Sequence, residues 1–481
     1  MSLARHRTPY AGSWYPGGRT ELEALLGEVF AESERRTGPV FPPDPAAYVA
    51  PHAGLEYSGR IAAAVFRRLA GQPPDSVVLL GFSHRGGPFG LWAPEVAGYT
   101  TPLGDIAVDG ERLEKLLESG VARRMDVAAL CDHSVEIQLP LIQWACPEAV
   151  VLPLYVAGLG EDERRRSAEA LASLAGPGVV FLASSDFTHF GAPFGYEPFP
   201  VNKLTRGRLH DLDADFIEAA GSIDPGFFLR YLSARKATVC GREPMALLLE
   251  ILRALEPARD FYQQTLDYMT SGELTGDYSH CVSYAALGYV SWESLQLASE
   301  DADLLLDCAR RTIGQYRETG RPDPAAPLRQ TPALRRPAAA FVSLHKEGEL
   351  RGCVGRITAE EPLGRTVPEM TLAAALEDSR FLPVGRDETG IDIEVSVLSP
   401  MRRLADPAGL RPGVDGGYLK LGDRSGLLLP QVARERDWNS ARFLAALASK
   451  AHLSEKAYAD PSSRLYSFRA QVIREAPASA A

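Results

Sequence analysis

Three short apolar runs constrain this chain more than any other feature: Ala46 to Ala50, Ser76 to Gly81 and Gly178 to Ala183 are almost unbroken, and each gives way to a polar turn. Continuous hydrophobicity, without alternation, predicts strands buried on both faces, as in a parallel sheet covered by helices. The turns that follow carry Pro51-His52, Phe82-Ser83-His84 and Ser184-Ser185-Asp186-Phe187-Thr188-His189. In an open parallel sheet, function gathers beyond the carboxyl ends of the strands. The pattern therefore predicts one cleft fed by three distant parts of the chain.

A fourth contribution comes from Thr238-Val239-Cys240-Gly241-Arg242. It leads into Glu243-Pro244-Met245 and the apolar stretch Ala246 to Leu255, which reads as a helix with proline in its first turn. A thiol at the positive end of that helix dipole is expected to have a lowered pKa, favouring the thiolate that binds metals. His52, His84 and Cys240 would then supply two nitrogens and one sulfur, with coordination positions left open. Two histidines and one anionic ligand suit non-haem Fe(II), nitrogen and sulfur in a tetrahedral array suit Zn(II) about as well, and copper accepts the same donors.

Several ordered motifs carry a family resemblance. Ala-Pro-His52-Ala-Gly, Thr101-Pro-Leu-Gly-Asp105, Asp132-His133-Ser-Val-Glu136, Ser-Ser-Asp186-Phe-Thr-His189 and Val-Cys240-Gly-Arg242 resemble the MEMO family, bracketed by Ala11-Gly-Ser-Trp14 and Cys281-Val-Ser-Tyr284. That family is similar in fold to the class III extradiol dioxygenases, the LigB-like enzymes that cleave catechol-like rings with Fe(II) and dioxygen. The resemblance implies an α/β domain whose sheet is flanked by helices. It also implies His52 and His84 as the histidine ligands, Cys240 in the place of the dioxygenase carboxylate, and iron as the favoured metal. His189 looks like the acid/base histidine, with Asp186 beside it as a second catalytic group and a candidate acceptor for the outer nitrogen of a ligand ring. Arg242, His133 and Trp14 are candidates for binding substrate, by charge, imidazole and aromatic stacking respectively.

Each of these residues has a plainer alternative. Arg242 suits a structural or solvated arginine, Trp14 suits aromatic packing, and His133 suits the first turn of a helix capped by Asp132 or Ser134. Glu136 suits a structural partner as well as a catalytic base. A serine hydrolase built on Ser184 or Ser185 is disfavoured, because no Gly-x-Ser-x-Gly elbow is present.

A chain of 481 residues with 45% hydrophobic residues exceeds what one core usually organises, so two domains are expected. The first is assigned to residues 1–295 and the second to residues 298–476, with residues 477–481 a frayed tail. Six cysteines without regular spacing fit a reducing cytoplasm, and no long apolar run predicts a membrane span. A net charge of −11 argues against nonspecific nucleic-acid binding.

The second domain mixes hairpins and helices. Ala338 to His345 with Leu350 to Ile357, and Tyr418 to Leu421 with Gly426 to Leu429, read as paired strands, while Thr366 to Glu377 and Ser440 to Lys450 read as helices. This α+β pattern, with Leu350-Arg351-Gly352-Cys353-Val-Gly355 and Asp378-Ser-Arg380-Phe-Leu-Pro383, resembles the AMMECR1 family. Cys353 and Arg351 are its candidate site residues, although a small buried residue in a tight hairpin is the simpler reading of Cys353 and a structural ion-pair network accounts equally for Arg351. Related prokaryotic families are associated by name with a radical-SAM protein, so the resemblance implies such a partner.

The expected activity is a metal-dependent, dioxygenase-like oxidoreductase acting on a small hydroxylated or aromatic molecule. Two alternatives are a nonoxidative zinc or iron lyase or hydrolase, and a metal-binding regulatory protein without turnover.

Overall fold

The computed structural model describes residues 3–256 and 259–475; the expectation for residues 477–481 lies outside them. Apart from the short segment Phe41–Pro43, one compact unit runs to Ser291 and a second begins at Trp292.

The first unit is built on a nine-stranded mixed sheet. Its spatial order is His189–Gly191, His280–Ser291, Ala47–Ala50, Val179–Ser184, Ser76–Gly81, Val150–Ala157, Gly90–Pro94 and Ala122–Met125, with Phe261–Thr270 also paired to His280–Ser291. The four strands from Ala47–Ala50 to Val150–Ala157 run parallel, and the neighbours on either side of them are antiparallel.

Their residues divide between two cores with a period of two, because successive side chains of a strand point to opposite faces. Val49, Val78, Leu80, Leu152, Leu154 and Phe181 pack into one core, which includes residues of the helices Glu161–Ala172, Thr205–Gly221, Pro225–Ala234 and Arg242–Leu255. Tyr48, Val77, Leu79, Val151 and Leu182 pack into the other, against Arg19–Thr37, Leu55–Gly71 and Gln138–Ala145. The sheet is thus covered on both faces, which explains why its central strands lack polar alternation.

Three adjacent parallel strands end at Ala50, Ser184 and Gly81. The turns carrying His52, Asp186 and His84 consequently leave the sheet side by side.

The second unit contains two four-stranded sheets whose strand pairs are all antiparallel. One has the order Glu349–Arg356, Ala340–Lys346, Ile391–Leu398, Ala470–Arg474; the other has Arg402–Arg403, Arg464–Phe468, Gly416–Leu421, Arg424–Leu428. The helices Ser299–Thr319 and Leu363–Leu376 share a core with the first sheet, and Ser440–Lys450 packs on the second. Both hairpins expected from the sequence form, as do the two helices, with ends displaced by a few residues. Among the described residues, no helix is long and apolar enough to cross a membrane.

Candidate metal centre

His52 stands at the middle of the convergent turns and is 1% exposed. Its backbone N–H donates to Asp186 Oδ1 at 2.8 Å, fixing the turn across two strands. Its ring lies between two partners, with Nδ1 3.0 Å from Ser184 Oγ and Nε2 3.2 Å from Cys240 Sγ. Ser184 Oγ also accepts from Gln138 Nε2 at 2.9 Å, and the same amide donates to Pro51 O. With Nδ1–H donated to Ser184, Nε2 presents its lone pair toward the sulfur, which is the tautomer a metal requires. Burial, and after it the neighbouring His84, push the His52 pKa down to about 3, so the ring stays neutral.

Cys240 is delivered by the turn before the helix Arg242–Leu255. Gly241 lets that turn lie close on Ser184 and Ser185, since a Cβ there would run into both, and its N–H donates to Ser185 Oγ at 3.0 Å. The backbone N–H of Asp186 points at the sulfur from 3.2 Å. The expectation of a lowered thiol pKa is corrected: burial pushes the Cys240 thiol well up, and the Asp186 carboxylate adds to the rise. Desolvation outweighs the helix dipole here, because the partly buried sulfur is packed among His52, Ser185 and Asp186 at the start of the helix.

His84 is oriented by a carboxylate. Asp132 Oδ1 lies 2.8 Å from His84 Nδ1, and Asp132 Oδ2 accepts the His84 backbone N–H at 3.0 Å. Burial works to raise the Asp132 carboxyl, but the His84 hydrogen bond, the nearby His133 and the Ser134 N–H outweigh it and hold the group down to about 2. The groups that hold the outer ring nitrogens are therefore Ser184 for His52 and Asp132 for His84. Asp186, the candidate for that task, instead binds a main-chain N–H of His52, and burial raises its own carboxyl pKa.

The rings of His52 and His84 meet edge to face at 5.4 Å. His133 stacks on His84 at 4.0 Å, and Trp14 stacks on His133 at 4.2 Å, forming a column of three rings. Burial pushes the His133 pKa down to about 3 against the opposing pull of Asp132. His52 belongs to two groups whose ligand atoms all lie within 4.8 Å of one another: His52, His84 and His133, and His52, Asp186 and Cys240. These donors fit a divalent cation: burial keeps the His52 and His133 rings neutral, the His52 ring faces a sulfur, and the other nitrogen of His52 and of His84 is held by Ser184 and Asp132.

His189 lies at the start of an edge strand of the sheet. Its Nδ1 is 3.1 Å from Phe187 O and 3.0 Å from Thr238 O; two carbonyls can only accept, so Nδ1 carries a proton and the acceptor of the neutral ring is Nε2. Thr238 Oγ1 accepts the His189 N–H and donates to the His189 carbonyl, locking the residue in place. Arg242 is turned onto its own chain, donating to Ala237 O at 2.6 Å and to Val239 O at 3.4 Å. It braces the loop that brings in Cys240.

Ser184, Gln138 and the orienting role of Asp132 were missed in the sequence. The motif around Asp132 and His133 pointed to the region, but only the fold shows that its carboxylate reaches the ring of His84, 48 residues earlier.

In the second unit, Arg351 pairs with Glu388 through bonds of 2.9 and 3.1 Å. Cys353 Sγ accepts from Ser343 Oγ at 3.2 Å, and its N–H donates to Asp378, which is held by Arg380.

Comparison with known proteins follows the same division. Residues 6–288 match the family described as Memo-like protein, and residues 306–473 match the family described as AMMECR1. A MEMO1 family protein of Desulfurococcus amylolyticus is 32% identical over 308 residues, covering 59% of this chain and 99% of that protein. One from Methanosarcina barkeri is 34% identical over 284 residues, covering 58% and 97%. A solved structure of an uncharacterized protein from Pyrococcus horikoshii is 33% identical, covers 36% of this chain and 90% of its own, and superposes with a TM-score of 0.35.

Proposed function

Because the chain belongs to the Memo-like protein family, with an AMMECR1 domain following, we propose that its first unit is a metal-dependent oxidoreductase of the dioxygenase type. It acts on a small hydroxylated or aromatic molecule, with dioxygen as the oxidant, on a scaffold of the LigB-like kind. The observation that carries this reading is the approach of His52 Nε2 to Cys240 Sγ at 3.2 Å, with the His84 ring alongside.

His52, His84 and Cys240 would hold the metal, with iron(II) favoured. Bound there, it would supply Lewis-acid polarisation and a path for electrons between substrate and dioxygen. The chain's own residues do the rest. His189 takes a proton from a substrate hydroxyl at its free Nε2, since Nδ1 is committed to carbonyls. Asp186 holds the His52 turn in place, and the column of Trp14, His133 and His84 offers ring edges and faces to a flat molecule.

Oxygen uptake by anaerobically purified, iron-loaded protein against catechols, keto-acids and hydroxylated sugars tests the proposal. Uptake with at least one class is expected, and His189→Ala should lower kcat by about a hundredfold or more with metal content unchanged. No uptake with any class would contradict it. A second reading, a nonoxidative zinc lyase or hydrolase, is favoured by the sulfur in the donor set. Turnover that ignores dioxygen would select it.

A further inference from the structure

Three different ligand types meet at another place in the first unit, with no residue in common with the His52 cluster. Glu136 ends the short helical turn that begins at His133, and its side chain is 0% exposed. One carboxylate oxygen, Oε1, lies 3.1 Å from His6 Nε2. The other, Oε2, is buried without any hydrogen-bond partner. Cys131, 6% exposed, completes the group: ligand atoms from His6, Cys131 and Glu136 all lie within 4.8 Å of one another.

A histidine–glutamate pair alone does not explain this arrangement. It satisfies Oε1 and leaves the other buried oxygen, Oε2, without a partner, which is costly in a dry interior. Nor does it explain why a thiol sits beside that carboxylate.

We propose that His6, Cys131 and Glu136 form a second cation site, taking a borderline-soft divalent ion of the zinc type through one nitrogen, one sulfur and one oxygen. Hard ions such as magnesium and calcium call for oxygen ligands only, and copper(I) prefers softer surroundings. Zinc bonds of about 2.0–2.3 Å set tetrahedral ligands roughly 3.3–3.8 Å apart, so a trio within 4.8 Å of one another, with its histidine–glutamate pair at 3.1 Å, needs only a modest adjustment. The thiol proton leaves to solvent as the ion binds.

The site would tie two separate segments together. His6 lies on the strand Arg5–Arg7, paired with Gly98–Thr101, whereas Cys131 directly precedes Asp132, the carboxylate that orients His84. A cation here would anchor that carboxylate from behind, making the site a structural support for the metal centre. It stands on its own residues and does not depend on the oxidoreductase reading.

Cobalt(II) binding to the full chain carrying His52→Ala, Cys240→Ser and Cys353→Ser tests the proposal with the other candidate thiols removed. One further equivalent of cobalt should bind with an intense sulfur-to-cobalt absorption band. Adding Cys131→Ser should abolish the band, and Glu136→Gln should weaken binding by about tenfold or more. Absence of the band in the starting variant, or its persistence after Cys131→Ser, would overturn the assignment. If Cys131→Ser fails to fold, His6→Asn at the half-buried rim replaces it: at least about tenfold weaker cobalt binding with an unchanged circular dichroism spectrum is expected, and unchanged affinity overturns the site.

Discussion

Two cysteines in this chain stand beside a glycine that permits close backbone approach, yet they meet different company. A Cβ on Gly241 would collide with Ser184 and Ser185, and one on Gly352 would collide with the carbonyl of Ala374. Next to the first, Cys240 faces His52 Nε2 and the Asp186 N–H; next to the second, Cys353 receives one hydroxyl from Ser343. The charged groups around Cys353 are paired with each other, Asp378 with Arg380 and, nearby, Arg351 with Glu388. Around Cys240 the polar groups are buried and aimed inward. A tight glycine turn can deliver a thiol to either setting; the difference lies in what distant strands bring to meet it.

The widest gap between the units is expected in acid. In the metal-free chain, His52 and His133 titrate near 3, against an ordinary value of 6.5. Between those values the unfolded chain binds protons that the folded unit refuses. Stability is therefore full above pH 6.5 and falls by about 1.4 kcal/mol per group for each unit below it. Asp186, whose carboxyl is pushed up by burial, offsets part of that loss. In the second unit, hydrogen bonds from Arg351 and Arg380 hold Glu388 down to about 2 and Asp378 lower still. Those depressed carboxylates lose their stabilisation only as the pH drops below the ordinary values of 4.5 and 3.8. Hydrogen exchange corrected for intrinsic rates should show the first unit loosening between pH 6.5 and 5 while the second holds. Equal loss in both would break the contrast.

Gly241→Ala and Gly352→Ala should each cost about 3 kcal/mol in urea unfolding, because backbone lies where the methyl must go. Only Gly241→Ala should also cost metal binding. Cys240→Ser is expected to weaken metal affinity by about a hundredfold or more, beyond what outer-shell changes achieve, whereas Cys353→Ser leaves it unchanged. Matching losses from the two serine variants would erase the distinction drawn here. The smallest effect belongs to Asp132→Asn, which keeps the shape but removes the charge behind His84; about a tenfold loss of metal affinity, read by competition with a chelator, is expected.

Much of this was legible in the chain. The apolar runs before His52, His84 and Asp186 gave three adjacent parallel strands, because full burial leaves no polar alternation. Pro244 in the first helical turn marked the helix after Cys240. The environment of each group was not legible. The Cys240 pKa was expected to fall and rises, since burial depends on everything packed around the sulfur, while the dipole argument uses the helix alone. Arg242, read as a candidate anion ligand, holds carbonyls three and five residues away in its own chain. Asp132 caps the helical turn at Ser134, as expected, but it also orients the His84 ring, the kind of task expected of Asp186: which carboxylate reaches a ring is set by strand order, and spacing does not report it.

Anomalous diffraction from crystals of the full chain, soaked anaerobically with iron(II), is the most direct test of the metal centre. A peak bonded to His52 Nε2, a ring nitrogen of His84 and Cys240 Sγ is predicted. A peak that leaves Cys240 unbonded, or no peak among these three side chains, would contradict the account.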